Sequence, residues 1–239
     1  MSFNLIAECY DLLSNPKSRI SKESGLYKKL IKPKQRALDL ACGTGPQALF
    51  LAEHCEAIVD ANDLSSDMIA YAKEHRNHKN INYQIGDMSQ KFDGQYQLII
   101  CVGNSLNLLP SKDLAYQTIH NSIESLVCGG ALVVHIINPQ ATQNQKVKRL
   151  EKQISLANGK ISITKVLTPH KTGRNLHITY KPVSGKIVEE DTELLDITKD
   201  ELLDMCSVAE VCQLDCYGSL DCQAFTNESL DILVVLRKS

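Results

Sequence analysis

The chain has no tryptophan and only 5% aromatic residues. No apolar run approaches the ~20 residues that a membrane-spanning helix needs. Charge of neither sign dominates: 26 Lys and Arg face 28 Asp and Glu, a formal net charge of −2. No basic stretch is long enough to follow a nucleic-acid backbone. The densest cluster, Lys146-Val147-Lys148-Arg149 with Lys152, is expected to be the solvated face of a helix. Neither a nucleic-acid partner nor a membrane is therefore expected. The opening Met1-Ser2-Phe3-Asn4-Leu5 has neither a basic leader nor an apolar signal core, so a cytoplasmic location is expected. The nine cysteines are an odd number without secretory context, which favours reduced thiols. Cys206, Cys212, Cys216 and Cys222 lack the paired C-x-x-C spacing of zinc sites, so no metal is expected. Cys212 and Cys216 fall in an expected strand as small core residues. No G-x-S-x-G is present, which removes the nucleophile-elbow hydrolases.

What the chain does have is a glycine turn. Ala37 to Ala52 reads A-L-D-L-A-C-G-T-G-P-Q-A-L-F-L-A. An apolar strand carrying Asp39 is followed by Gly43-Thr44-Gly45, and Pro46 suits the first position of a helix. Glycines at 43 and 45 allow a sharp turn and a close backbone approach to a ligand. The free N–H groups of the helix end make an electropositive seat. Two ligands fit. Gly43, Gly45 and Ala48 satisfy G-x-G-x-x-G/A, and Asp63 stands 20 residues after Gly43, as in a dinucleotide site and an NAD-dependent oxidoreductase. Asp39 lies four residues before the first glycine, where it would repel a pyrophosphate and attract a cation. S-adenosylmethionine, with its sulfonium and ammonium, suits that acid. For Asp39, Asp63 and Asp87 there are structural alternatives: a satisfied strand-end acid, a helix N-cap and a turn residue. Ser65 or Ser66 could take the capping role from Asp63.

Along the chain, residues 3–32 show helical spacing broken at Pro16. Strands are expected near 36–41, 56–61, 81–85, 96–102 and 131–137, with helices near 46–54, 66–75, 112–127 and 140–153. Gly129-Gly130 is expected to close the helix before the fifth strand. This alternation predicts a parallel sheet covered by helices on both faces. Residues 154–195 then alternate apolar and polar in three runs, with turn signals at Asn158-Gly159, Thr172-Gly173 and Ser184-Gly185. They predict an antiparallel meander whose apolar face covers the ligand cleft or forms a dimer surface, which leaves a homo-oligomer open. Thr198 with Glu201 reads as a capping box, followed by two strands near 209–217 and 230–237. The domain reading is a helical cap over 1–35, a ligand-binding core over 36–139, an insertion of helix plus meander over 140–195, and a closing helix and hairpin over 196–239.

D-L-A-C-G-T-G resembles the first motif of class I S-adenosylmethionine-dependent methyltransferases. Three later segments resemble that family in order: Val59 to Ile69, Ile81 to Met88, and Phe92 to Leu109. The resemblance implies a doubly wound α/β, Rossmann-like fold whose seven-stranded sheet ends in an antiparallel strand. It implies a cofactor site built from Tyr10, Asp39, Ala41, Gly43, Gly45, Asp63, Leu64, Met68, Asp87, Met88, Val102 and Asn104. In that site Asp63 would take the ribose hydroxyls and Asp87 the adenine amino group, with Met88 beside the ring. S-adenosylmethionine would be the cofactor and S-adenosylhomocysteine the product. The Asp/Asn-Pro-Pro-aromatic motif of DNA amino-methyltransferases is absent. Gly103-Asn104-Ser105-Leu106 with an inserted meander is similar to the small-molecule, glycine and sarcosine N-methyltransferase-like branch. Methyl transfer to a small-molecule acceptor by in-line displacement is the function implied. Candidates for a catalytic part are His135, Asn104 and Tyr10, and Asn107 and Asn138 could hold substrate or cap turns. A non-catalytic S-adenosylmethionine-binding protein is the remaining alternative.

Overall fold

The structure is a computed structural model that describes residues 4–142, 148–156, 159–170, 173–183 and 186–239. It begins with two helices, α1 (Asn4–Ser14) and α2 (Pro16–Leu30). Pro16 separates them by opening α2, and the Asn15 side chain caps that helix from a left-handed backbone. Next come β1 (Arg36–Leu40), α3 (Pro46–His54), β2 (Ile58–Asp63), α4 (Ser66–His75), β3 (Ile81–Ile85) and β4 (Tyr96–Cys101). A short 3₁₀ turn, Ser105–Leu108, leads to α5 (Lys112–Glu124), β5 (Leu126–Ile137) and the four-residue α6 (Pro139–Thr142). Four strands follow: β6 (Lys148–Leu156), β7 (Gly159–His170), β8 (Gly173–Pro182) and β9 (Val188–Leu195). The chain closes with α7 (Lys199–Cys206), β10 (Val211–Tyr217) and β11 (Asp231–Lys238).

Two sheets result. The first has seven strands in the order β10-β11-β5-β4-β1-β2-β3, with β11 antiparallel to β5. It is buried on both faces because successive strand residues turn to opposite sides. Ala37, Val59, Ala61, Leu98, Ile100 and Val133 pack with α2, α3 and α4. Leu38, Leu40, Ile99, Cys101, Leu132 and Val134 pack with α5 and α7. The expected doubly wound fold is thus realised. The chain runs outward from β1 to β3 and then returns to β4 beside β1. The carboxyl ends of β1 and β4 therefore meet at the switch point, where such sheets open a crevice.

The second sheet is the four-stranded antiparallel β6-β7-β8-β9. The helix expected over 140–153 is corrected: α6 ends at Thr142 and Lys148–Leu156 is a strand. Its register with β7 runs from Lys148↔Leu167 to Leu156↔Gly159. Arg149 pairs with Glu151 on the outward face instead of forming a helical surface. Lys146 and Val147 lie outside the described residues, as do Asn158, Thr172, Ser184 and Gly185. Gly129-Gly130 is corrected too. α5 ends at Glu124, and both glycines lie inside β5 at a register break, with Gly129 at φ +73°. Cys212 is exposed rather than packed. The Thr198–Glu201 capping box is present. Among the described residues no His, Cys, Asp or Glu cluster could hold a metal, and no helix is long and apolar enough to cross a membrane.

Candidate functional site

The crevice is shaped first by backbone. After β1 the chain takes positive φ at Ala41 (+52°), Gly43 (+55°) and Gly45 (+84°), and after β4 at Gly103 (+87°) and Asn104 (+72°). Two adjacent cavities result. A narrow cleft of about 30 Å³ is lined by Tyr10, Arg19, Asp39, Ala41, Gly43 and Val102, among others. A chamber of about 730 Å³ lies beside it and shares Tyr10. Met68, Gly103 and Asn104 form part of its floor, and the inward face of the second sheet forms its opposite wall.

In the cleft, Asp39 is 1% exposed, and its Oδ2 has no hydrogen-bond partner among the described residues. Burial pushes its carboxyl well above the ordinary carboxylate range, and nearby Glu23 adds to this; the backbone N–H of Ala48 and the Arg19 guanidinium pull it back. Asp63 borders neither cavity; it accepts from the backbone N–H of Gly43 at 2.8 Å and of Ser65 at 2.9 Å. Its carboxyl is raised by burial against those two bonds. Ser65, not Asp63, caps α4, its hydroxyl accepting from Met68 N–H. Gly45 is a packing residue as well as a turn residue: a Cβ there would lie 2.5 Å from the Tyr83 hydroxyl. Tyr10 lies against Gly43, where a Cβ would sit 3.8 Å from its ring.

Beside Tyr10, the helical cap contributes further residues. Asp11 accepts from the Thr44 hydroxyl and from the Arg76 guanidinium, and Arg76 also donates to the Thr44 carbonyl at 2.8 Å. These bonds fasten α1 to the glycine turn. On α2, Arg19 reaches across to Gly103, where a Cβ would stand 2.9 Å from its Nη1. Arg19 donates to Glu23, whose other oxygen accepts from Tyr27 at 3.2 Å and from Gln47 at 3.1 Å. An arginine and a glutamate one helical turn apart, in a segment otherwise polar, are the only trace of this network in the sequence.

The other expected site residues are dispersed around the crevice. Leu64 is 75% exposed. Asp87 Oδ1 accepts from the Ser89 N–H and hydroxyl, both at 2.8 Å, and Met88 packs into the α5 side of the core. Neither Asp87 nor Met88 borders the two cavities. His135 is buried behind the Gly103 loop. Its Nδ1 accepts from Gly103 N–H at 3.2 Å, and Nε2 faces Asp231 at 3.0 Å, so both ring nitrogens are engaged within the protein. Asn104 lines the chamber while its Oδ1 accepts from Ile137 N–H at 2.9 Å. Asn138 is satisfied by Ser229 and Gln140, which is a turn-capping arrangement. Asn107 is fully buried, and neither side-chain polar atom has a partner among the described residues.

Residues 37–130 match a family model described as a methyltransferase domain. That stretch, about two fifths of the chain, is a methyltransferase domain. The domain spans the strands and turns that build the cleft. The chain is 32% identical over 106 residues to YqeM of Bacillus subtilis, a methyltransferase by assignment, covering 43% of this chain and 42% of that protein. It is 31% identical over 117 residues to glycine N-methyltransferase of Homo sapiens, covering 42% of this chain and 39% of that protein. The matched region is thus about two fifths of these curated relatives. The whole fold, second sheet included, resembles that of an S-adenosylmethionine-dependent methyltransferase from Clostridium acetobutylicum, with a TM-score of 0.79, 18% identity and 99% of each chain covered.

Proposed function

We propose that the protein transfers a methyl group from S-adenosylmethionine to a small-molecule acceptor by in-line displacement. The observation that carries this reading is the pairing of the two cavities. A narrow cleft with an orphaned buried carboxylate oxygen opens beside a chamber of about 730 Å³, a volume typical of small-ligand pockets.

The residues present fit the cofactor. Asp39 Oδ2 offers an unused acceptor to its ammonium, which a pyrophosphate would not satisfy. The Arg19 guanidinium beside Gly103 suits its carboxylate. Each Asp63 oxygen spends one lone pair on a backbone N–H and keeps another for a ribose hydroxyl. When bound, the cofactor supplies an activated methyl group on a sulfonium. The chain's own contribution is to hold the acceptor in line and exclude water. Tyr10, which lines both cavities, and Asn104 on the chamber floor would orient the acceptor. His135, with both nitrogens engaged, would position the Gly103-Asn104 backbone. The test is calorimetric titration with S-adenosylhomocysteine and, separately, with NADH. Binding of the first alone supports the reading. Binding of NADH alone returns the turn to the dinucleotide class. Turnover to S-adenosylhomocysteine with any acceptor separates an enzyme from a non-catalytic binder.

A further inference from the structure

The second sheet presents its inward side chains in rows set by strand register. One row runs Leu150, Lys165, Ile178, Glu190, and the next carries Leu167, Leu176 and Thr192. All seven line the chamber. The wall is therefore apolar, interrupted by a few charges. Four charged residues line the chamber as a whole, and three of them are compensated within the protein. Arg174 donates to Asp196 at 2.7 Å. Glu190 accepts from the Tyr180 hydroxyl at 3.3 Å. Asp67 stands in the first turn of α4, where the helix dipole favours an acid. Lys165 is the exception. Among the described residues its ammonium has no hydrogen bond and no carboxylate within 4.0 Å. Glu190 lies two strands away in the same row, roughly 9–10 Å along the sheet at ordinary strand spacing. Burial lowers the Lys165 pKa, and the pull of Glu190 does not make up the difference.

A cation held against leucines and isoleucines without a direct partner costs free energy that an incoming anion would offset. We propose that Lys165 is the anchor for a carboxylate on the acceptor, so that the chamber selects small, mainly apolar molecules bearing that group. The proposal rests on the methyltransferase reading. It adds the class of acceptor and the residue that recognises it. Lys165 touches the acceptor's anionic end, and the apolar rows hold its body. The end to be methylated then points toward Tyr10 and Asn104.

The experiment uses the full chain saturated with S-adenosylhomocysteine. Octanoate, octan-1-ol and octylamine are each titrated by calorimetry into the native chain, Lys165→Met and Lys165→Arg. Octanoate is expected to bind the native chain about tenfold or more tightly than octan-1-ol. Lys165→Met is expected to erase that preference while S-adenosylhomocysteine affinity stays unchanged, which also shows that the variant is folded. Lys165→Arg is expected to keep most of it. Equal binding of octanoate and octan-1-ol, no octanoate binding at millimolar concentration, tighter binding of octylamine, or an unaltered preference in Lys165→Met each overturn the proposal. Failure of S-adenosylhomocysteine to bind the native chain instead overturns the cofactor reading. The same octanoate preference is then expected of the ligand-free chain.

Discussion

The two sheets approach the same crevice by different means. The seven-stranded sheet contributes mostly backbone, turns at positive φ, together with one buried carboxylate. The four-stranded sheet contributes mostly side chains, laid out in rows on one face. Backbone recognition needs particular residues at particular positions, because only some residues tolerate the dihedral angles. A side-chain wall can change its residues one at a time without moving its strands. A cofactor that stays the same suits the first arrangement, and an acceptor that differs between enzymes suits the second.

Breaking the backbone side is expected to have the largest effect. Gly43→Val places a branched Cβ at φ +55° beside Tyr10, on the surface that the cofactor would touch. S-adenosylhomocysteine binding is expected to fall below detection. The strained turn itself is expected to cost about 1–3 kcal/mol of stability, leaving the far-UV circular dichroism spectrum near native. Normal binding by this variant would show that the turn does not contact the ligand. Asp63→Ala is the next largest. It removes a charge-assisted acceptor, so binding is expected to weaken by about 1–3 kcal/mol in calorimetry. The Gly43 and Ser65 N–H groups also lose their partner. Asp63→Asn keeps an acceptor oxygen without the charge and is expected to lie between the two. An unchanged affinity in Asp63→Ala would remove the ribose assignment.

Asp39 sharpens the comparison because stability and binding are expected to move in opposite directions. Its carboxyl titrates higher in the folded chain than in the unfolded chain, since burial disfavours the charge. The folded state therefore holds the proton more tightly, and stability falls as pH rises from the unfolded value toward the raised folded value. Asp39→Asn cannot titrate. Without ligand it is expected to melt higher than the native chain, by a margin that grows across that window and then levels off. Its S-adenosylhomocysteine affinity is expected to drop about tenfold, because the ammonium loses a charged acceptor. A scanning-calorimetry pH series with a binding isotherm at neutral pH checks both. A variant that melts lower than native at neutral pH would mean that the buried carboxylate stabilises the fold.

The same division governs what could be read in advance. β1, β2, β3 and β4 were legible because short β-branched and leucine-rich runs end at turn residues. The glycine turn was legible because Gly43 and Gly45 have few other uses between a strand and Pro46. The helix expected over 140–153 failed because Lys, Arg and Glu in Lys148–Leu156 have ordinary helix propensity. Pairing with β7 overrode that preference, as tertiary contacts commonly do. Gly129-Gly130 misled for a related reason: a glycine pair serves a strand bulge as well as a helix end. The bond from Arg76 to Asp11, the bond from Gln47 to Glu23 and the contact of Arg19 with Gly103 were hidden because the partners are distant in sequence. Asp11 and Arg76 are 65 residues apart, and only folding brings α1 onto the turn.

The smallest effect is expected at a glycine that belongs to neither arrangement. Gly25 lies inside α2, on an exposed surface, and a Cβ there would meet nothing within 4 Å. Nothing in the structure explains a glycine at this position. Gly25→Ala is therefore expected to stabilise the chain by about 0.5–1 kcal/mol, because alanine surrenders less backbone entropy in a helix. Chemical denaturation measures this, and S-adenosylhomocysteine affinity is expected to stay unchanged. The contrast with Gly43 is what gives the variant its use. Both positions exchange glycine for a residue with a Cβ, yet one lies in helical backbone over open solvent and the other in a left-handed turn against Tyr10. If Gly25→Ala weakened cofactor binding, the orientation of α2, which carries Arg19 to Gly103, would depend on the flexibility of that glycine. The cap would then be a moving part of the site, and the cleft's recognition would no longer reside in a fixed backbone.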